Sequence, residues 1–370
     1  MENIDRVPDL DPELKKRYIG EAKVLRAYNY YELYTKFGDV PYTTKVLSIK
    51  ESMSIARTAK ATVIANVLAD LDEVINGNYL PTSYDADNKG RITRWAAMAI
   101  KAKIYLFEGN WTQVKNITST IMTEGGFKLF GSYAGLFEIA NEYNSEVILD
   151  AQYRPTSREH QMMYVFLPPT LGGYSQLSPL QELVDSYIML DGKTIKETGT
   201  SFDESHPYAN RDPRLKATVM YTGNSYTLAD GTEVVINCEK GEGKDGYGVG
   251  SDCSATGYYI KKYWDNTYRA TLYSGLNPIL IRYADILLMN AEALAELGEL
   301  DKTAWDATIK PIRDRAGFTL ASALEFPEGA SKDKLIEIVR NERRSELALE
   351  GHRHKDIIRW RIADNVLNGW

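Results

Sequence analysis

This 370-residue chain is poor in the residues that announce redox, metal or membrane chemistry: it has two cysteines, four histidines and no long apolar run. Cys238 and Cys253 are too few and too far apart for a zinc site; one loop-closing disulfide stays open, so they do not define a redox compartment. The histidines form no ligand set. His352 and His354 stand two apart, unlike the i, i+4 pair of a helical zinc site, and their charged neighbours point to a surface or ion-pair role. No stretch approaches the roughly 18 apolar residues of a transmembrane helix. The opening Met1-Glu2-Asn3-Ile4-Asp5 is not a signal peptide, so the sequence implies a cytosolic protein or one whose true start lies upstream. Positive charge is also in short supply: 44 basic against 51 acidic residues give a net charge of −7, which argues against a broad nucleic-acid or anionic-membrane surface. No nucleophile elbow marks a Ser-His-Asp arrangement.

What the chain has is tyrosine, 25 residues of it, with six tryptophans, in a sequence that is 44% apolar. These rings offer flat apolar faces with a polar handle, suited to a core or to a ligand platform. Helical periods appear over residues 21–37, with Ala22, Leu25 and Tyr28 on one side, and over 58–75. They recur over 93–108 with Ala96, Ile100, Ile104 and Phe107 in register, followed after Gly109-Asn110-Trp111 by a helix to about Met122. A second pair, 283–297 and 303–313, has the same helix-glycine-helix plan. The spacing predicts a mostly α fold of tetratricopeptide-like hairpins, although neither pair keeps that repeat's full consensus. From 147 to 277 helical periods fade. Short strands are expected at 147–149 and 258–264 and a helix at 179–190, the remainder being ordered loop. Residues 1–146 and 278–370 thus form a helical scaffold and 147–277 a loop-rich, minor-β excursion, the first place to seek function.

The charges of residues 341–360 need explaining. Glu342, Glu346 and Glu350 are four apart on a helix that Gly351 is expected to stop, and like charges so placed repel by roughly 0.2–0.5 kcal/mol per pair. Arginines should face them, from Arg343, Arg353 and Arg359 nearby or Arg282, Arg313 and Arg315 on earlier helices. A catalytic carboxylate pair needs two different environments across a cleft, so an ion-pair network is the better reading.

Two motifs fail in context. Asp85-x-Asp87-x-x-Gly90 has Lys89 at a ligand position and Ala96 in place of the closing glutamate of a calcium loop. Gly241-x-Gly243-x-x-Gly246 opens no helix and reads as a loop rather than a dinucleotide fingerprint. By contrast, residues 263–273 mix rings with hydrogen-bonding groups, which is what a sugar's C–H face and hydroxyls require, or what packing under a long loop would supply equally well.

The placed motifs together resemble SusD/RagB-type proteins, nutrient-binding surface lipoproteins of Bacteroidota. They are Glu21-Ala22-x-x-Leu25-Arg26-Ala27 leading to Phe37-Gly38-Asp39-Val40-Pro41, Ala96-Ala97 through Tyr105-Leu106 to Gly109-Asn110-Trp111, Asp212-Pro213-Arg214-Leu215, and Ile281-Arg282-Tyr283-Ala284-Asp285 with Ala291-Glu292-Ala293. Arg313-x-Arg315-Ala316-Gly317, Glu342-Arg343-Arg344-x-Glu346-Leu347, Glu350-Gly351-His352-Arg353 and Asp356-Ile357-Ile358-Arg359-Trp360 complete the set. The resemblance implies a single SusD-like unit that binds glycan without catalysis or cofactor, lipid-anchored at the outer-membrane surface as partner of a SusC-like TonB-dependent transporter. It also implies a fragment, since the family's signal peptide, lipid-bearing cysteine, first helical segment and proline-rich tail are not in this sequence. Tyr247, Trp264, Tyr268 and Tyr273 are the expected stacking residues, Asp265, Asn266 and Arg269 their hydrogen-bonding companions, and Tyr84 and Tyr174 outer candidates. Arg282, Arg313, Glu342, Arg343, Glu346, Glu350 and Arg353 are assigned to the structural ion-pair network. A peptide ligand is the alternative within the family; a cytosolic helical-repeat scaffold is the alternative outside it.

Overall fold

A computed structural model describes residues 1, 3–265, 267 and 271–368. The chain divides into two compact units, Met1–Gly126 with Arg353–Trp370, and Phe127–His352. The fold is mostly helical, and among the described residues no helix is long and apolar enough to cross a membrane.

In the first unit, Asp11 caps a long helix, Pro12–Phe37, by accepting from Leu14 N at 2.8 Å, and Pro12 occupies the first turn, where a missing N–H costs nothing. Its buried face is Val24, Ala27, Tyr31 and Tyr34, while Leu25 is 51% exposed. The expected face of Ala22, Leu25 and Tyr28 is therefore displaced by about one residue; Tyr31 and Tyr34 meet the Phe107 ring edge-on and draw the helix round. After Gly38, Asp39 accepts from Lys60 N at 2.8 Å and starts the next helix, Lys60–Asn76. The Gly-Asp-Val-Pro stretch is thus a turn and a cap in one. Thr93 and Asn110 cap Arg94–Phe107 and Trp111–Glu124, and Gly109, at φ 71°, supplies the left-handed residue between them. Arg94–Phe107 is buried nearly all round, with Ala96, Ile100 and Ile104 fully enclosed.

In the second unit, Val147–Asp150 pairs antiparallel with Ile279–Arg282, in register Val147↔Arg282, so the two ends of the loop-rich excursion are closed by one strand pair. Asn277 reinforces this neck: its amide donates to Asp150 at 3.1 Å and its oxygen accepts from Tyr153 N at 2.6 Å. Two smaller pairs lie within the excursion, Val219–Met220 with Tyr259–Ile260 and Ser225–Thr227 with Glu233–Val235. They enclose a core of Met163, Phe166, Leu167, Tyr226, Tyr259 and Leu272. Tyr258 to Trp264 is a two-residue strand rather than seven, because Tyr263 turns to φ 63°; the helix expected over 179–190 shortens to Gln181–Ser186.

Directly after the neck, Tyr283–Leu297 and Lys302–Ala316 form a hairpin, turned by Gly298 at φ 74° and capped by Asp301. The third helix of this group, Lys332–Glu346, ends at Glu346 and not at Gly351, since Leu347 leaves helical geometry and Leu349 takes φ 64°. Only Glu342 and Glu346 therefore share its face. Glu350 lies in the turn beyond and reaches the same partners by a different route.

Candidate functional site

The conspicuous carboxylates are enclosed. Glu346 accepts from Arg214 Nη1 at 2.9 Å, from Arg282 Nη1 at 2.6 Å and from Arg315 Nη2. Glu342 accepts from Arg313 Nε at 2.7 Å, and Arg214 approaches its other oxygen at 2.7 Å. Glu350 holds Arg282 in a fork, 2.7 and 2.8 Å, and takes Lys262 Nζ at 2.6 Å. Glu146 bridges Arg282 and Arg315 at 2.7 and 3.0 Å, and Asp212 grips Arg214 through Nε and Nη2 at 3.0 and 2.7 Å. Five carboxylates thus face five cations, all nearly inaccessible to solvent and formally neutral as a group. Burial alone would raise the Glu346 carboxyl, but Arg315, Arg282 and Arg214 outweigh it and hold it far below the ordinary range. Glu342, beside Arg214 and Arg313, and Glu350, beside Arg282 and Lys262, are lowered likewise against burial. Burial pushes the Lys262 ammonium down to about 8 in spite of Glu350. No carboxylate here is left free to act on a substrate.

Two of the arginines assigned to this network belong elsewhere. Arg343 pairs with Asp285 at 2.6 Å, and Arg353 lies in the first unit with its guanidinium over the Trp360 ring. Arg359, also considered, pairs with Asp356. In their place stand Arg214 and Lys262, both supplied by the loop-rich excursion. Asp212-Pro213-Arg214 had a readable signal: an acidic cap and a proline open a short helix, which sets Arg214 beside Asp212 and aims it inward. Lys262 had none.

The expected ligand residues separate into exposed and structural ones. Tyr174, Tyr247 and Tyr273 present 43%, 41% and 42% of their surfaces, and Tyr174 stacks on Tyr164 with centroids 5.2 Å apart and planes at 12°. Trp264 is half-buried: its indole N–H donates to Thr227 O at 2.8 Å and its ring leans on buried Tyr226, 5.1 Å away. Trp264→Ala should therefore lower the unfolding free energy by about 2 kcal/mol in urea titration, less than a fully enclosed ring would. Unchanged stability would assign this ring to ligand contact rather than packing. Asp265 needs correction, being only 2% exposed; it accepts from Thr267 N at 2.9 Å and from the Thr267 and Ser274 hydroxyls at 2.5 Å, so its lone pairs serve the loop. Tyr84 lies in the first unit, its hydroxyl donating to Ile92 O at 3.1 Å. Asn266, Tyr268 and Arg269 fall outside the described residues.

Sequence reasoning missed a groove of about 600 Å³ in the second unit, lined in part by Ser205, His206, Tyr208, Thr222, Glu239 and Tyr258. Tyr208 stacks on Tyr221 at 3.9 Å and 16°, its hydroxyl donates to that of Tyr258 at 3.4 Å, and Tyr258 donates to Gln181 at 2.7 Å. Burial, then the bond to Tyr258, pushes the Tyr208 phenol well up, so it remains a neutral donor. Tyr247 is not among the lining residues, although its backbone N–H donates to the carbonyl of one of them, Cys238, at 3.3 Å. Cys238 and Cys253 are free thiols, both buried, so the disulfide left open by the sequence is not formed; burial raises the Cys238 thiol to about 12. The groove combines rings, hydroxyls, a carboxylate and an imidazole, and the wide spacing of Tyr208 and Tyr258 has no period to betray it.

Residues 136–369 match the model of the SusD family, and residues 1–106 match a second family model described as starch-binding, associating with the outer membrane. A SusD-like protein of Formosa agariphila is 28% identical over an alignment spanning 99% of this chain and 68% of that protein. Among solved structures, a SusD-like carbohydrate binding protein of Bacteroides fragilis superposes with a TM-score of 0.87 at 29% identity, over 99% of this chain and 71% of that one. A second SusD-like protein of the same species gives 0.82 at 28% identity, over 98% and 73%. Since one family model alone takes in well over half the sequence, this chain belongs to the SusD family.

Proposed function

We propose that this protein binds oligosaccharide at the outer-membrane surface, without catalysis, and delivers it to a SusC-like TonB-dependent transporter to which a lipid anchor keeps it close. The observation that carries the reading is the groove in the second unit, where Tyr208, backed by its stack on Tyr221, stands among the Thr222, Tyr258, Glu239 and His206 polar groups. A pyranose presents an apolar C–H side and a hydroxyl rim, and this wall matches both. Tyr174, Tyr247 and Tyr273 are exposed rings of the same unit that a longer chain could use. The carbohydrate-binding relative of Bacteroides fragilis supports the ligand class, and the family model's description supports the membrane association. Against catalysis stands the burial of Glu342, Glu346 and Glu350 among guanidiniums.

Calorimetry with a panel of neutral oligosaccharides should find a ligand whose affinity Tyr208→Ala lowers about tenfold, since a ring contact is worth roughly 0.5–1.5 kcal/mol beyond its buried area and 1.4 kcal/mol is a factor of ten. Retained affinity in that variant would move the site off the groove. Silence across the panel with saturable binding of peptides would replace the ligand class. Delivery is tested separately: co-purification of the transporter with the anchored protein is expected, and its absence from intact membranes would remove the partner.

A further inference from the structure

A cavity of about 490 Å³ in the first unit, formed where the helix Pro12–Phe37 begins, is walled by Asp11, Glu13, Arg17, Asn78, Tyr79 and Arg94, among others. Several cations in this unit are matched to carboxylates: Arg26 to Asp70, Arg91 to Glu21, Lys23 to Glu73 and Lys101 to Asp72. Arg17 and Arg94 break that pattern. The Nε–H of each has no acceptor among the described residues. Arg94 has one neutral side-chain partner, Asn78 Oδ1 at 3.3 Å, and Arg17 lies against the Tyr18 and Tyr84 rings, 5.6 and 5.8 Å away, with the Asp85 carboxylate near enough to feel its charge but in no ion pair with it. Lys16 adds a third cation, over the ring of Tyr79 at 5.5 Å. Of the two acids in the wall, Asp11 is committed to capping its helix and Glu13 is exposed.

We propose that this cavity receives an oxyanion, a carboxylate or sulfate group, between Arg17 and Arg94. Guanidinium N–H groups lining a cavity without a carboxylate ion pair are strong donors that carboxylate and sulfate oxygens match in charge and geometry, and a neutral hydroxyl matches less well. The site belongs to the first unit, and its ligand class does not depend on the reading given for the groove of the second. An acidic saccharide and a free inorganic anion share this chemistry.

Calorimetry at low salt with inorganic sulfate, a uronic-acid disaccharide and its neutral counterpart tests the assignment. The two oxyanions should bind and the neutral sugar should not; the disaccharide binding more tightly than sulfate would identify a saccharide as the source, and the reverse a free anion. Arg17→Met and Arg94→Gln should each weaken oxyanion binding by about tenfold, the loss of one charge-assisted donor fork, with thermal unfolding of the variants reported alongside. Arg17→Lys, which keeps the charge without the fork, should fall between, and serves if Arg17→Met does not fold. Absence of saturable oxyanion binding, equal binding of the neutral disaccharide, or unchanged binding in the folded variants would overturn the proposal.

Discussion

Replacing Arg282 by methionine should lower the unfolding free energy by about 3–5 kcal/mol, the range for removing one partner from a buried ion pair. The expectation is at the high end because this one guanidinium meets Glu146, Glu346 and Glu350 and also donates to Glu346 O at 2.7 Å. Its loss leaves five buried carboxylates facing four cations. The methionine fills much the same volume, so the deficit is electrostatic rather than a cavity. Arg282→Met combined with Glu350→Gln should recover part of the loss, since the second change brings the cluster back to four carboxylates and four cations. Lys262→Met supplies the contrast: Glu350 keeps its fork to Arg282, and a desolvated ammonium leaves the interior, so the loss should be much smaller. Urea titrations reporting equal losses for Arg282→Met and Lys262→Met would show that the charges are not shared as the distances imply.

Acid should unfold the protein through the same groups. Glu342, Glu346 and Glu350 have folded-state values below the ordinary carboxylate range, so protons bind them more readily in the unfolded chain. Their stabilisation is then complete above the unfolded value of about 4.3 and is lost progressively as pH falls towards the folded values. Glu142, Asp150 and Asp212 act in the opposite sense, burial having raised all three, and soften the decline. Thermal unfolding followed from pH 7 downwards should show a plateau and then a steep fall. Glu346→Gln should start lower at neutral pH, by about 3–5 kcal/mol, and fall less steeply, because one of the groups that must be protonated is gone. Parallel curves for the two proteins would mean that Glu346 does not drive acid unfolding. On the alkaline side the sign differs: Lys262, lowered to about 8, binds its proton more weakly in the folded state, so its burial penalty is relieved as pH rises from about 8 towards 10.5.

The motif set that marked the family turns out to be largely the network itself. Asp212 and Arg214, Arg282, Arg313 and Arg315, and Glu342, Glu346 and Glu350 come from separate stretches of sequence and converge on one enclosed cluster. That convergence explains why a stretch with the look of an active site is scaffold. Its acids were legible at once, and Arg282, Arg313 and Arg315 were among the candidates to face them. Arg343 and Arg353 were misplaced because nearness in sequence says nothing of which side of a turn a guanidinium leaves from.

The ligand surface was less legible. Residues 263–273 read as a sugar-binding run, but Asp265 and Trp264 spend their hydrogen bonds on Thr267, Ser274 and Thr227, and the open concavity lies at Tyr208 and Tyr258. Aromatic residues serve a core and a binding face equally well, so composition does not separate the two.

The sequence by itself determined most of the long helices and the glycine turns of the hairpins, because helical period, Asp, Thr and Asn caps and glycine turns act within a few residues of one another; the ends at Ser186 and Glu346 it did not. It also carried the family, whose motifs stand in order along the chain. Tertiary structure alone decided which cations meet which carboxylates, since Arg214 and Glu346 are 132 residues apart, and the Coulomb energy depends on where folding brings them. It likewise decided which tyrosines stay in water and which line a groove, because exposure is a property of the packed chain and has no local signature.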